Sequence, residues 1–160
     1  MTTIQSSFKR AFGAIASLVF ALSLHADPVS VGDTMPKLSG TDQHEKPYAI
    51  ESGTRYVLAS YEMGPGKQAN AFLDEKGANF LPENKAVYVA NIHGMPGIIA
   101  NTFALPKMRK YSHRILVMNE DGLFDEWPQE KGKVAVFTLD AEGKITHISQ
   151  WSPKSGEAPF

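Results

Sequence analysis

The chain has 160 residues, 42% of them hydrophobic and 21% charged, with a formal net charge of −1 and no cysteine. That length suits one domain with a single substantial core, and the near-neutral balance gives phosphates no general attraction, so no nucleic-acid partner is expected. Without cysteine there is no disulfide, no thiolate metal site and no thiol catalysis, and stability rests on the core alone.

Residues 1–26 read as a separate piece. Lys9 and Arg10 precede the uncharged apolar run 11–24, which closes in Leu24-His25-Ala26. This is the three-part layout of a secretory signal peptide cleaved after Ala26. The run is shorter than the roughly 20 residues that span a bilayer, so a periplasmic or secreted protein with no stable membrane span is expected. Lys9 and Arg10 are the only charges in this leader, and losing them takes the formal net charge from −1 to −3. Residues 27–160 form the remaining domain.

Segment 27–36 reads as irregular. Two short extended runs, 37–41 and 46–50, flank Asp42-Gln43-His44-Glu45 and predict a hairpin at a sheet edge. The β-prone run 55–61 predicts a buried central strand, which Gly64-Pro65-Gly66 breaks in a tight turn. Helix formers from Lys67 predict a helix to about residue 80, with Gly77 ending or kinking it. A second apolar run, 86–92, predicts a second buried strand that leads into His93-Gly94-Met95-Pro96-Gly97.

Pro96 suits the first turn of a further helix, with Ile98, Ile99, Thr102 and Phe103 at helical spacing and an interruption at Pro106. Residues 113–118 predict a third strand, and the polar, acidic stretch 119–132, which contains Trp127-Pro128, predicts a surface excursion. Strands at 133–139 and 144–151 are joined by Asp140-Ala141-Glu142-Gly143, a hairpin turn. The tail 152–160 carries two prolines and reads as loose. This order predicts an α/β fold, a mixed sheet with helices on its faces. The loops leaving the carboxyl ends of such strands are where ligands sit. Glu62, Met63, Gly64, Gly66 and Lys67 on the first loop, with His93 and Met95 on the second, are therefore the candidate ligand- or partner-binding residues.

Three segments carry a family likeness: Val31-Gly32-Asp33-Thr34-Met35-Pro36, the strand and turn 57–67, and 134–140 with Gly143-Lys144-Ile145. Together the chain resembles the thioredoxin-like superfamily, in particular its peroxiredoxin-like secreted branch, over most of 31–148. The resemblance implies a thioredoxin-like mixed sheet flanked by helices, with an N-terminal β-hairpin. Met63-Gly64-Pro65-Gly66-Lys67 stands where such proteins carry Cys-Gly-Pro-Cys-Lys, so Met63 and Gly66 replace both cysteines. The turn is shorter than the family's, the proline that precedes the terminal hairpin in a cis peptide is missing near Val134, and no long C-terminal helix follows. Thiol–disulfide exchange and peroxide reduction need a thiolate, so the family's activity does not carry over.

The expected function is therefore that of an exported, redox-inactive, non-catalytic domain without a cofactor. It would act as a binding or assembly module for a protein or small ligand of the cell envelope. Two readings compete. His93-x-Met95, with Met63 across the loops and Met108 and His113 further along, offers soft ligands that suit Cu(I) in a periplasmic copper-binding protein, against methionines that merely fill core space and a His93 that caps a helix or meets solvent. Gly64-x-Gly66-x-x-Ala69 meets the minimal dinucleotide pattern of a nucleotide- or flavin-binding oxidoreductase component, but Asn91 stands where an acidic residue is expected and no second nucleotide-binding half follows. Asn119, Asp121 and Gly122 fit part of a calcium loop whose first and last ligand positions hold Val117 and Pro128, which leaves a turn. Lys107, Arg109, Lys110 and Arg114 suit an anionic partner or complement a helix macrodipole. Neither Gly-x-Ser-x-Gly nor HExxH occurs.

Overall fold

A computed structural model describes residues 28–160; the expected signal peptide, 1–26, lies outside them. Val57, Leu58 and Ala59 are all fully buried in β3 (Tyr56–Ser60), because a strand apolar at every position has core on both faces. Val57 and Ala59 join Val87, Val89, Leu116 and Phe137 on one side. Leu58 joins Leu73, Tyr88 and Val136 on the other, the alternation that a pleated strand imposes.

β3 pairs in parallel with β4 (Ala86–Asn91), and β4 in parallel with β5 (Leu116–Met118), which starts later than the run 113–118 predicts. On its other side β3 runs antiparallel to β6 (Val134–Leu139), which pairs with β7 (Ile145–Trp151). β1 (Ser39–Asp42) and β2 (Pro47–Ala49) form the expected hairpin, with β1 antiparallel to β5. The order β2-β1-β5-β4-β3-β6-β7 is a seven-stranded mixed sheet with the hairpin at one edge and the first core strand in its interior. Asp42 is buried in the hairpin because its carboxylate accepts the His44 and Lys46 N–H groups at 2.8 and 3.0 Å and pairs with Arg114 at 3.0 Å; a buried charge without such partners is costly.

The helices depart from the sequence pattern. α1 runs Met63–Lys76, so Gly64-Pro65-Gly66 is its first turn and not a turn ahead of a helix that starts at Lys67. Pro65 is tolerated because the first N–H groups of a helix have no intrahelical acceptor to lose. Gly77 ends α1 at φ 89°, ψ 172°, backbone that is essentially closed to residues with a Cβ. A separate short helix, α2 (Phe80–Glu83), follows. A Cβ added at Gly77 meets nothing within 4 Å, so Gly77→Ala tests the backbone alone. It is expected to lower stability by about 1–3 kcal/mol, seen as a lower urea midpoint at unchanged slope.

Pro106 does not interrupt the second helical stretch, 97–108. That stretch runs as α3 (Gly97–Ile99), a π-helical turn (Ala100–Ala104) and α4 (Leu105–Met108). The wider turn removes the demand for an N–H at the proline and makes room for its ring, so the helix widens instead of ending. Ala69, Phe72 and Leu73 of α1 and Leu81 of α2 join the Leu58 face of the sheet, and Met108 of α4 packs against it half-buried. The opposite face is covered by Met35, Leu38, Phe124 and Trp127, none of them helical, so the helices flank one face and not both.

The stretch 119–132, expected as a surface excursion, and the tail 152–160, expected to be loose, are both packed. Phe124 and Trp127 of 119–132 are buried, and Trp127 meets Phe137 edge-on at 5.0 Å. In the tail, Phe160 stacks on Tyr56 at 4.4 Å and on Phe80 at 5.5 Å, while the Trp151 indole N–H donates to the Glu157 carbonyl at 2.9 Å. The tail contains only a 3-10 turn, Pro153–Ser155. No helix among the described residues is long and apolar enough to cross a membrane.

Candidate functional site

Because β3 and β4 are parallel, their carboxyl ends, Ser60 and Asn91, open at the same sheet edge. The start of α1 and the loop after β4 rise from that edge, and 97–108 closes the third side. Between them lies a cavity of about 480 Å³. Of the seven candidate residues, Glu62, Met63, Gly66, Lys67, His93 and Met95 line it. Gly64 does not; it is exposed, with open space where a Cβ would stand.

The floor is a polar cluster that the sequence reading missed. Ser60 and Tyr88 hydroxyls lie 2.9 Å apart, the Asn70 amide donates to the Gly66 carbonyl at 2.8 Å, and the Tyr88 hydroxyl approaches the same carbonyl at 3.4 Å. With the Asn70 nitrogen so engaged, its Oδ1 faces His113 Nε2 at 3.0 Å, so Nε2 carries the proton and donates. Nδ1 is then the acceptor, and it has no partner. Burial pushes the Tyr88 hydroxyl up to about 12 and the His113 imidazole down to about 4. Both groups are neutral near pH 7. The signal was there in outline: Tyr88 and Asn70 are polar residues inside otherwise apolar runs, and such residues are buried only with partners.

Gly66 now has a structural reason. A Cβ there would stand 3.3 Å from Ser60 Oγ and 3.7 Å from the Tyr88 hydroxyl, so the bare backbone lets the first turn of α1 rest on the ends of β3 and β4. Met63 instead sits at the rim, 56% exposed. The wall formed by Ile99, Phe103, Lys107 and Met108 was not foreseen: Ile99 and Phe103 read as helical, but nothing in the local pattern sets that helix against the cavity, and Pro106 separated Lys107 and Met108 from it.

His113, considered with His93 and Met95 as a soft ligand, is buried in the core and does not line the cavity. His93 Nε2 lies 3.3 Å from Asp121, which ties the would-be calcium loop to the cavity rim. His93 does not cap the following helix, whose N-cap is Pro96. Among the described residues no group of three or more histidines and carboxylates is placed to hold a metal ion. The dinucleotide pattern lacks its loop: Gly64 and Gly66 lie within a helical turn, and Pro65 between them offers no N–H. Two of the four basic residues are structural. Arg109 donates to the Gln43 carbonyl and to Glu45 at 2.9 and 2.8 Å, and Arg114 reaches Asp42 and lies 3.9 Å from the Tyr48 ring centre.

A central parallel β3–β4 pair, a helix starting at the carboxyl end of β3 and a terminal antiparallel hairpin define a thioredoxin-like α/β fold in which Met63 and Gly66, and no sulfhydryl, stand in the first turn of that helix. Solved structures with this fold resemble it. DsbE from Chlorobium tepidum matches with a TM-score of 0.53 at 15% identity, over 81% of this chain and 92% of that one. Peroxidoxin BcpB from Mycobacterium tuberculosis matches at 0.51 and 17%, over 80% and 91%. An exposed lipoprotein thioredoxin from Streptococcus pneumoniae matches at 0.51 and 17%, over 71% and 88%. No family model and no curated protein matches the chain.

Proposed function

We propose that this chain is an exported, redox-inactive thioredoxin-like domain that binds a ligand or partner in the cavity between 62–67 and 93–97. One observation carries the reading: the fold keeps a formed cavity of about 480 Å³ at its reactive edge while the chain has no thiol anywhere to react there. A cavity of this size is what a binding site needs, and thiol–disulfide exchange without a thiolate is not available. Export agrees with the layout of 1–26, and the pneumococcal structural neighbour is itself an exposed lipoprotein.

Photo-crosslinking in cells tests both parts. The antiparallel β3–β6 register puts the turn after β6 at the opposite end of the sheet, so Glu142 is the control position. A crosslinker at Met63 is expected to give discrete adducts in the envelope fraction, on a chain shortened after Ala26 by mass spectrometry, while one at Glu142 gives none. Equal labelling at both positions, or an unprocessed chain in the cytoplasm, sinks the reading.

A second reading is favoured by a specific observation: Met63, Met95, Met108 and His93 all line this one cavity. Three thioethers and an imidazole form a donor set suited to Cu(I). Anaerobic Cu(I) titration decides it, with binding expected to weaken about tenfold or more in His93→Ala if the imidazole is a ligand.

A further inference from the structure

We infer that the cavity takes an amphipathic monoanion, an apolar chain or ring bearing one negatively charged head group, an assignment that rests on the cavity being the binding site of this domain. The walls are apolar. Ile99, Phe103 and Met108 contribute from 97–108, Met95 from the loop and Met63 from α1. Phe103 and Met63 remain 66% and 56% exposed, so they do not fill core space but leave apolar surface in water at the opening of a cavity, where a ligand's apolar body gains most by covering it.

The sign of the head group follows from the cations. Lys67 on α1 and Lys107 on α4 both line the cavity. Among the described residues neither lies within 4.0 Å of a carboxylate, whereas Arg109, Arg114 and Lys133 all do. Glu62 also lines the cavity and pairs with neither lysine. The lining thus carries two unpaired ammonium groups against one carboxylate, and Asp121, which lies 3.3 Å from His93 Nε2, is not among the lining residues. The floor adds no competing demand, since Ser60, Asn70 and Tyr88 bond to one another and to the Gly66 carbonyl. Selection by charge therefore falls to the lysines, and selection by shape to the apolar walls.

Titration of the full chain with three probes of equal chain length, dodecanoate, dodecanol and dodecyltrimethylammonium, tests the assignment, the two ions kept below their micelle concentrations and dodecanol below its solubility, all read by displacement of anilinonaphthalene sulfonate. Dodecanoate is expected to bind about fivefold or more tighter than dodecanol, the size that two partly solvated ion pairs supply, and the preference is expected to shrink in about 1 M salt. Lys67→Gln combined with Lys107→Gln, both exposed sites, is expected to bring dodecanoate to the dodecanol level and leave dodecanol unchanged. Phe103→Ser is expected to weaken all three. Charge-blind binding, or a dodecanoate preference that survives loss of both lysines, overturns the assignment while leaving the cavity a binding site. Binding of none of the three also overturns it, and the crosslinking contrast between Met63 and Glu142 then judges the broader reading separately.

Discussion

Trp127→Ala is expected to lower stability by about 3–5 kcal/mol, the cost of emptying a large buried site. Trp127 lies in a polar, acidic stretch without regular secondary structure, yet it is only 6% exposed, packed against Phe124 at 4.7 Å and Phe137 at 5.0 Å. Phe137 is fully buried in β6 and belongs to the same cluster as Val57 and Val89. No helix covers that face of the sheet, so the indole does the work a helix does on the other. For a chain of this size such a loss lowers the melting temperature by roughly 10–20 °C. The chain has two tryptophans, so Trp151 remains to report unfolding by fluorescence. A loss below about 0.5 kcal/mol, the range of surface substitutions, would show that 119–132 is a solvated excursion after all.

The second large effect depends on pH. His113 is fully buried, and burial pushes its imidazole from the ordinary 6.5 down to about 4, with the Asp74 carboxylate opposing only in part. Between those values the unfolded chain holds the proton and the folded chain does not. Stability therefore rises with pH across this window, and it is lost as pH falls from about 6.5 to about 4. The full difference amounts to about 3 kcal/mol. Urea unfolding followed from pH 7 to 4.5 is expected to show this slope. His113→Gln, which keeps a polar group beside Asn70, is expected to be less stable at pH 7 but to lose most of the slope. Asp42 and Asp74 are both held below the usual carboxylate range, and protonating them also removes stability, but nearer pH 4 and below. An unchanged slope in His113→Gln would place the acid sensitivity in those carboxylates.

The same imidazole shows where sequence reasoning ran short. His113 was legible as a residue with chemistry, and nothing within its own stretch says that it points into the core against Asn70, 43 positions earlier. Six of the seven candidate residues share one cavity because strand ends and loops were readable from local pattern. The helical wall was legible at Ile99 and Phe103, but its continuation to Met108 was hidden by Pro106, whose local rule is to end a helix and whose actual solution is a π-turn.

By itself the sequence determined the strand cores, the edge hairpin, the terminal hairpin and the absence of thiol chemistry. Each follows from residue type and near-neighbour spacing, which act within a few positions along the chain. Only the tertiary structure decided which apolar residues of irregular segments are core, as with Trp127 and Phe160, and which polar residues find partners, as with Tyr88 and Asn70. Those outcomes turn on contacts between segments far apart in sequence, where burial on a particular sheet face outweighs local propensity and no short-range pattern records the winner.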